Sequence, residues 1–214
     1  MRVKTVFMYK LLKTGSIPFI ILLIIFLASL VLADEIEYYK FDVAVHSRVS
    51  GRMDIVPARC SYVEYTEVVN FYYTSGYCDI DLLLSKFDRE RIFEFIKKYE
   101  EWSKKADQEN ISLQKAIDQL NLKIFFRYGG YMNEGSDVIA TFHFLTQYKN
   151  RHQMVITFSK TASQQDKYLL FRPGALYFDK KDIEAMKKWM SSSFIKQEID
   201  KKKTQMKKLD DQFN

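Results

Sequence analysis

Asp79 and Asp81 stand two residues apart in a stretch of alternating polarity, which places both carboxylates on one face of a strand. Such a pair has the chemistry to hold a hard cation or to share a proton. The apolar alternation of Cys78, Ile80 and Leu82 around them gives the plainer reading, the wet face of a half-buried sheet. The three histidines, His46, His143 and His152, have no second histidine or cysteine at ligand spacing, so no metal residue is assigned. A two-residue turn at Lys149-Asn150 sets position 143 opposite 156 and position 152 opposite 147. The two histidines then do not meet, and alanine at either is expected to leave function intact. There is no GxSxG elbow, and Ser191-Ser192-Ser193 falls inside a helical pattern as a local weak spot. No glycine-rich phosphate loop occurs either. No catalytic residue and no cofactor is assigned; if there is a catalytic site, it is a dispersed one joining Asp79, Asp81 and a histidine.

Aromatic density is the more suggestive signal. Tyr62, Tyr65, Tyr72, Tyr73 and Tyr77 crowd into one strand-rich stretch, and strand alternation turns some of them outward. Exposed tyrosines on a sheet form a platform for a peptide, a sugar or another protein, so these five are the candidate binding surface. Burial under a helix is the competing account. Cys60 and Cys78, the two cysteines of the chain, flank the same stretch. Export to an oxidising compartment would let them pair, whereas a straight strand from residue 60 to 72 would hold them far apart, and the sequence leaves the disulfide open.

These residues are carried by an α+β pattern. From Glu35 to Leu84 the chain is rich in Tyr, Val and Phe with period-two stretches, which reads as antiparallel strands. Ile92, Phe95, Ile96, Tyr99 and Trp102 then recur at helical spacing, predicting a helix over 89–105 capped by Asp88. Leu113, Ala116, Ile117 and Leu120 predict a second helical piece over 112–121. Strands return over 122–128, 138–148 and 152–159, with tight turns at Gly129-Gly130 and Lys149-Asn150. Pro173-Gly174 is suited to a type II turn joining strands 168–172 and 175–178. A last helix follows Asp179, carrying Ile183, Met186, Met190 and Phe194 inward.

The chain therefore divides into 1–33, a strand-rich half at 34–121 closed by helices, and a strand-rich half at 122–214 closed by the C-terminal helix. Phe87-Asp88 and Phe178-Asp179 each open an amphipathic helix, so the halves read either as a duplicated unit or as two independent uses of the same helix-start chemistry. Each helix is expected to cover the strands that precede it. In element order alone the pattern resembles the whirly and PC4-like single-strand-binding folds, which are built from duplicated blocks of four strands and a helix. No residue motif of those families is present, and element order does not carry function.

Arg2, Lys4, Lys10 and Lys13, followed by an uncharged run from Thr14 to Ala33, have the form of a signal peptide, with cleavage expected after Val31-Leu32-Ala33. The alternative is an uncleaved membrane anchor, since twenty apolar helical residues span roughly 30 Å. The net charge of +6 owes four cations to this segment. What remains is close to neutral, which argues against nucleic acid. Together these features point to an exported, non-enzymatic protein, periplasmic or extracellular, that binds a protein or envelope partner. It touches the membrane only if the N-terminal segment is retained. A small extracytoplasmic hydrolase and a membrane-tethered structural subunit are the alternatives.

Overall fold

The computed structural model describes residues 35–47, 51–128, 131–134, 137–148, 151–162 and 170–213. Residues 1–33, where a signal peptide or anchor is expected, and Gly129-Gly130 and Lys149-Asn150, where turns are expected, lie outside them. In chain order the elements are β1 (Glu35–His46), β2 (Met53–Val63), β3 (Val68–Ser75), β4 (Cys78–Leu84), α1 (Lys86–Glu109), β5 (Leu113–Tyr128), β6 (Tyr131–Glu134), β7 (Val138–Tyr148), β8 (Arg151–Phe158), β9 (Thr161–Ala162), β10 (Leu170–Phe171), β11 (Ala175–Phe178), α2 (Lys180–Met190) and α3 (Ser192–Phe213). This is the α+β class expected, with an antiparallel sheet and amphipathic helices.

The sheet runs β4-β3-β2-β1-β11-β8-β7-β5, and β5 also pairs with β4, so eight strands close into a ring. Seven of the eight joints pair in antiparallel register, and in a closed ring of eight this makes the β1–β2 joint antiparallel too. Each half of the ring is a four-stranded meander in sequence order. β1 to β4 make one, β5, β7, β8 and β11 the other, and β6 lies on the edge of β5 beyond β7. The inward-facing rows are large and apolar, among them Phe71, Ile80, Leu82, Phe126, Phe142, Phe144, Met154, Leu176 and Phe178. Between them and Ile92, Met186, Trp189 and Met190 of the helices lies a void of ≈ 30 Å³.

The helices cross over. α1 follows the first meander but packs on the second: the rings of Phe95 and Phe142 are 5.0 Å apart, Tyr99 meets Phe144 at 5.7 Å, and Tyr99 Oη donates to the His152 carbonyl at 3.0 Å. α2 follows the second meander and lays Trp189 on Phe71 at 5.7 Å and on Phe41 at 5.9 Å, while Tyr38 Oη donates to the Trp189 carbonyl at 2.7 Å. α3 continues along the first meander, where Phe194 meets Tyr38 and Tyr39. The expectation that each helix covers its own preceding strands is therefore overturned for α1, whereas α2 keeps its contacts with β8 and β11 while laying Trp189 across on β1 and β3. A single residue separates β4 from α1 and β11 from α2, so each helix starts at the rim of the ring with its apolar stripe already facing the opposite wall.

Both starts use the same device. Ser85 Oγ accepts from Asp88 N at 3.2 Å while the Asp88 carboxylate accepts from Ser85 N at 2.9 Å, and Asp179 with Asp182 repeats the exchange at 3.0 Å each way. Ser85, and not Asp88, is thus the cap of α1. The Phe87-Asp88 and Phe178-Asp179 match is out of step by three residues: Phe178 is buried, whereas Phe87 is 66% exposed and packs on nothing like a staple. Arg89 fastens the first turn of α1. It is buried, its Nη1 donates to the Glu67 and Leu84 carbonyls at 2.9 and 3.1 Å, and burial lowers the pKa of its guanidinium.

Two further expectations are corrected. The stretch 112–121 is not a helix but Ser112 followed by the first nine residues of β5, so the half boundary at 121/122 falls inside one strand. A bulge at Ile117, between the Ala116 and Asp118 pairings, resets the side-chain phase, and the buried positions 117 and 120 mimic helical spacing. Pro173-Gly174 does not join a hairpin either, because β10 pairs with β9 while β11 pairs with β8 and β1. Gly174 is not in the left-handed region. It is required by contact: a Cβ there would stand 2.6 Å from Ser75 Oγ and 2.7 Å from the His46 carbonyl. The Ser191 weak spot holds as read: it ends α2, and its Oγ accepts from Phe194 N at 3.2 Å to begin α3.

Because Trp189 belongs to the second half and packs on the first, Trp189→Ala should cost about 3–5 kcal/mol, the usual range for a buried aromatic truncated to alanine. Urea unfolding of the variant should remain a single transition. A loss below about 1 kcal/mol, or separate transitions for the two halves, would contradict the crossover.

Candidate functional site

The five tyrosines do not share a surface. Tyr73 is 3% exposed and faces the core, and Tyr62 lies half-buried on the same inner face at the rim. Tyr72 alone of the strand residues faces outward, under the Arg59 guanidinium 4.7 Å from its ring centre. Tyr65 and Tyr77 are exposed, but they occupy the turns before and after β3, whose eight residues separate them by roughly 25 Å.

Asp79 and Asp81 do lie on one face, the outer one. Asp79 accepts from Thr74 at 3.3 Å and stands across from Arg127, while Asp81 stands between Tyr72 and Phe125. Neither His143 nor His152 joins them, since His143 bonds to Thr157 at 3.0 Å and His152 lies on the inner face of β8. Among the described residues, no group of three His, Cys, Asp or Glu side chains is placed to hold a metal ion.

Cys60 and Cys78 are both free and buried. Cys60 stands opposite Phe71 and Cys78 opposite Ser75, four residues along β3, or roughly 13 Å, and on different sides of that strand. A disulfide needs Cα atoms within about 7 Å. Burial pushes both thiols up, so neither is nucleophilic in the folded chain.

The structure instead brings together residues that the sequence kept apart. A groove of ≈ 830 Å³ opens between the later turns of α1 and the first turns of α2, floored by the start of β8. α1 supplies Tyr99, Glu100, Ser103, Lys104 and Asp107; β8 supplies Arg151, His152 and Gln153; α2 brings Asp179, Lys180, Lys181, Ile183 and Glu184. Helical spacing explains the first set, since 99, 100, 103, 104 and 107 share one face.

Two ties bound the groove. At one end His152 Nε2 meets Asp107 Oδ1 at 2.8 Å, with the imidazole stacked on Phe144 at 5.6 Å. At the other, Lys187 bridges Glu100 at 2.8 Å and Glu184 at 3.2 Å, bonds that raise its pKa, Glu100 foremost. Tyr99 lies on the floor, its hydroxyl pushed up to about 12 by burial. His152 has a side chain 9% exposed, and its Nδ1 is enclosed without a hydrogen-bond partner. The ring therefore serves as a strut between α1 and β8, with one nitrogen engaged and the other shut away from solvent.

The charges divide unequally. Each carboxylate of the groove is engaged: Glu100 and Glu184 by Lys187, Asp107 by His152, Asp179 by the Asp182 N–H. The exposed cations Lys104, Arg151, Lys180 and Lys181 make no ion pair among the described residues. The groove thus offers unused positive charge. Local spacing in the sequence does not connect these residues, since Asp107 precedes His152 by 45 positions.

With the thiols enclosed on separate strands, alkylation of the native protein should modify neither cysteine, and both should react once the chain is unfolded. A mass deficit of two hydrogens in the non-reduced protein, or rapid labelling of the folded state, would contradict this placement. No protein-family model, curated protein or solved structure matches the chain.

Proposed function

We propose that this chain is an exported, non-enzymatic binding protein, periplasmic or extracellular, and that its site is the groove between α1 and α2 rather than the tyrosine-rich stretch. The observation that carries this reading is the pairing of the groove's charges: Glu100, Glu184 and Asp107 are held by Lys187 and His152 and Asp179 caps α2, while the exposed cations Lys104, Arg151, Lys180 and Lys181 make no ion pair among the described residues. Export rests on the N-terminal sequence, where a basic start, the uncharged run Thr14 to Ala33 and Val31-x-Ala33 occur in signal-peptide order. Cleavage there leaves Asp34 directly ahead of β1. The parallel between the two meanders, each launching a helix from a capping box after one residue, supports descent from a duplicated unit.

A hydrolase is the second reading, favoured by the His152–Asp107 hydrogen bond in the groove. Its weakness is the enclosed Nδ1, which has no hydroxyl or thiol against it.

A photo-crosslinking residue at Ser103, inside the groove, should capture one discrete partner from the exported fraction of the host, and the mature chain recovered with it should begin at Asp34. The same residue at Thr204, on the exposed side of α3, should capture none. Equal capture at both positions, or none at Ser103, would remove the groove from consideration. Ester hydrolysis abolished by His152→Ala in a folded variant would move the account to the hydrolase.

A further inference from the structure

Resting on the binding reading above, we infer that the groove takes an extended segment of a partner protein in which three or more acidic residues are consecutive. Its form excludes a small enclosed ligand. Such ligands are enclosed by their pockets, whereas this groove is open and carries charged side chains from α1, β8 and α2. Its length is set by the two ties on α1. Glu100 and Asp107 are seven residues apart, which is about 10 Å of helix and about three residues of extended peptide.

The walls set the pattern. Lys104 stands on the α1 wall, Lys180 and Lys181 on the α2 wall, and Arg151 at the floor edge. Successive side chains of an extended segment point to opposite sides. Consecutive carboxylates therefore reach both walls at once, while carboxylates at every second position reach one wall only. A nucleic-acid backbone fits less well, because the chain beyond residue 33 is close to neutral and lacks the broad basic surface that a continuous run of phosphates requires.

The test uses the full chain and fluorescein-labelled decapeptides of glycine and serine. One carries three consecutive glutamates, a second carries the same three glutamates at alternate positions, and a third carries three consecutive lysines. A ten-nucleotide oligothymidylate is the fourth probe. Fluorescence anisotropy should show the consecutive-glutamate peptide binding more tightly than the other three, with affinity falling as salt rises. Lys180→Glu with Lys181→Glu should weaken it about tenfold. Acidic residues in the first turn of a helix are favoured, so this variant keeps α2 intact. Lys207→Glu with Lys208→Glu, on α3, should leave the affinity unchanged. Preference for the alternating or the lysine peptide, or for the oligothymidylate, would overturn the inference. So would binding indifferent to the Lys180/Lys181 reversal. If Ser103 crosslinking still captures a partner, such a result leaves the binding reading standing; if it captures none, both fall together.

Discussion

The rest of the structure depends on the crossing of α1 and α2 between the two meanders. One residue joins each fourth strand to its helix, Ser85 in one case and Asp179 in the other, so each helix leaves its strand at the rim of the ring. Ring closure through β4–β5 and β11–β1 then makes the opposite wall the surface available to each apolar stripe. Trp189 on Phe71 and Phe95 on Phe142 are two sides of one core, and residues from Ile36 onward form one compact unit. Closure also removes most sheet edges, which protects a strand-rich chain from edge-to-edge association.

The groove is a by-product of the same crossing. α1 lies on β5 and β7 while α2 starts from β11, and side chains span the wedge between the two helices. Lys187 with Glu100 bridges the helices and His152 with Asp107 ties α1 to β8, and both ties join residues from different halves of the chain. The groove exists only when both halves are folded together. A site built this way does not announce itself through local spacing.

That is why the fold class was legible in the sequence and the site was not. Period-two alternation in β1 to β4 and the 3.6-residue period of Ile92, Phe95, Ile96 and Tyr99 are local signals, and both elements formed as read. The start of β5 misled because one bulged residue, Ile117, converts a strand pattern into helical spacing. Phe87-Asp88 misled in another way: Ser85 is as good a cap as Asp88, and the reciprocal Ser85–Asp88 bonds settle which residue leads. The partnership of His152 with Asp107 spans 45 residues and depends on a crossover that no local rule specifies. The tyrosines were dense because β3 and its flanking turns are rich in them, and the inner face, the outer face and two opposite ends of the strand each received a share.

Native-state hydrogen exchange tests the crossover most directly. If the two halves share one core, the slowest amides of α1 around Phe95 to Tyr99, of β7 around Phe142 to Phe144, and of β3 around Phe71 should exchange with a single free energy equal to that of global unfolding. Two sets of slow amides, one confined to β1–β4 with α1 and the other to β5–β11 with α2, would show halves that open independently and would contradict the account.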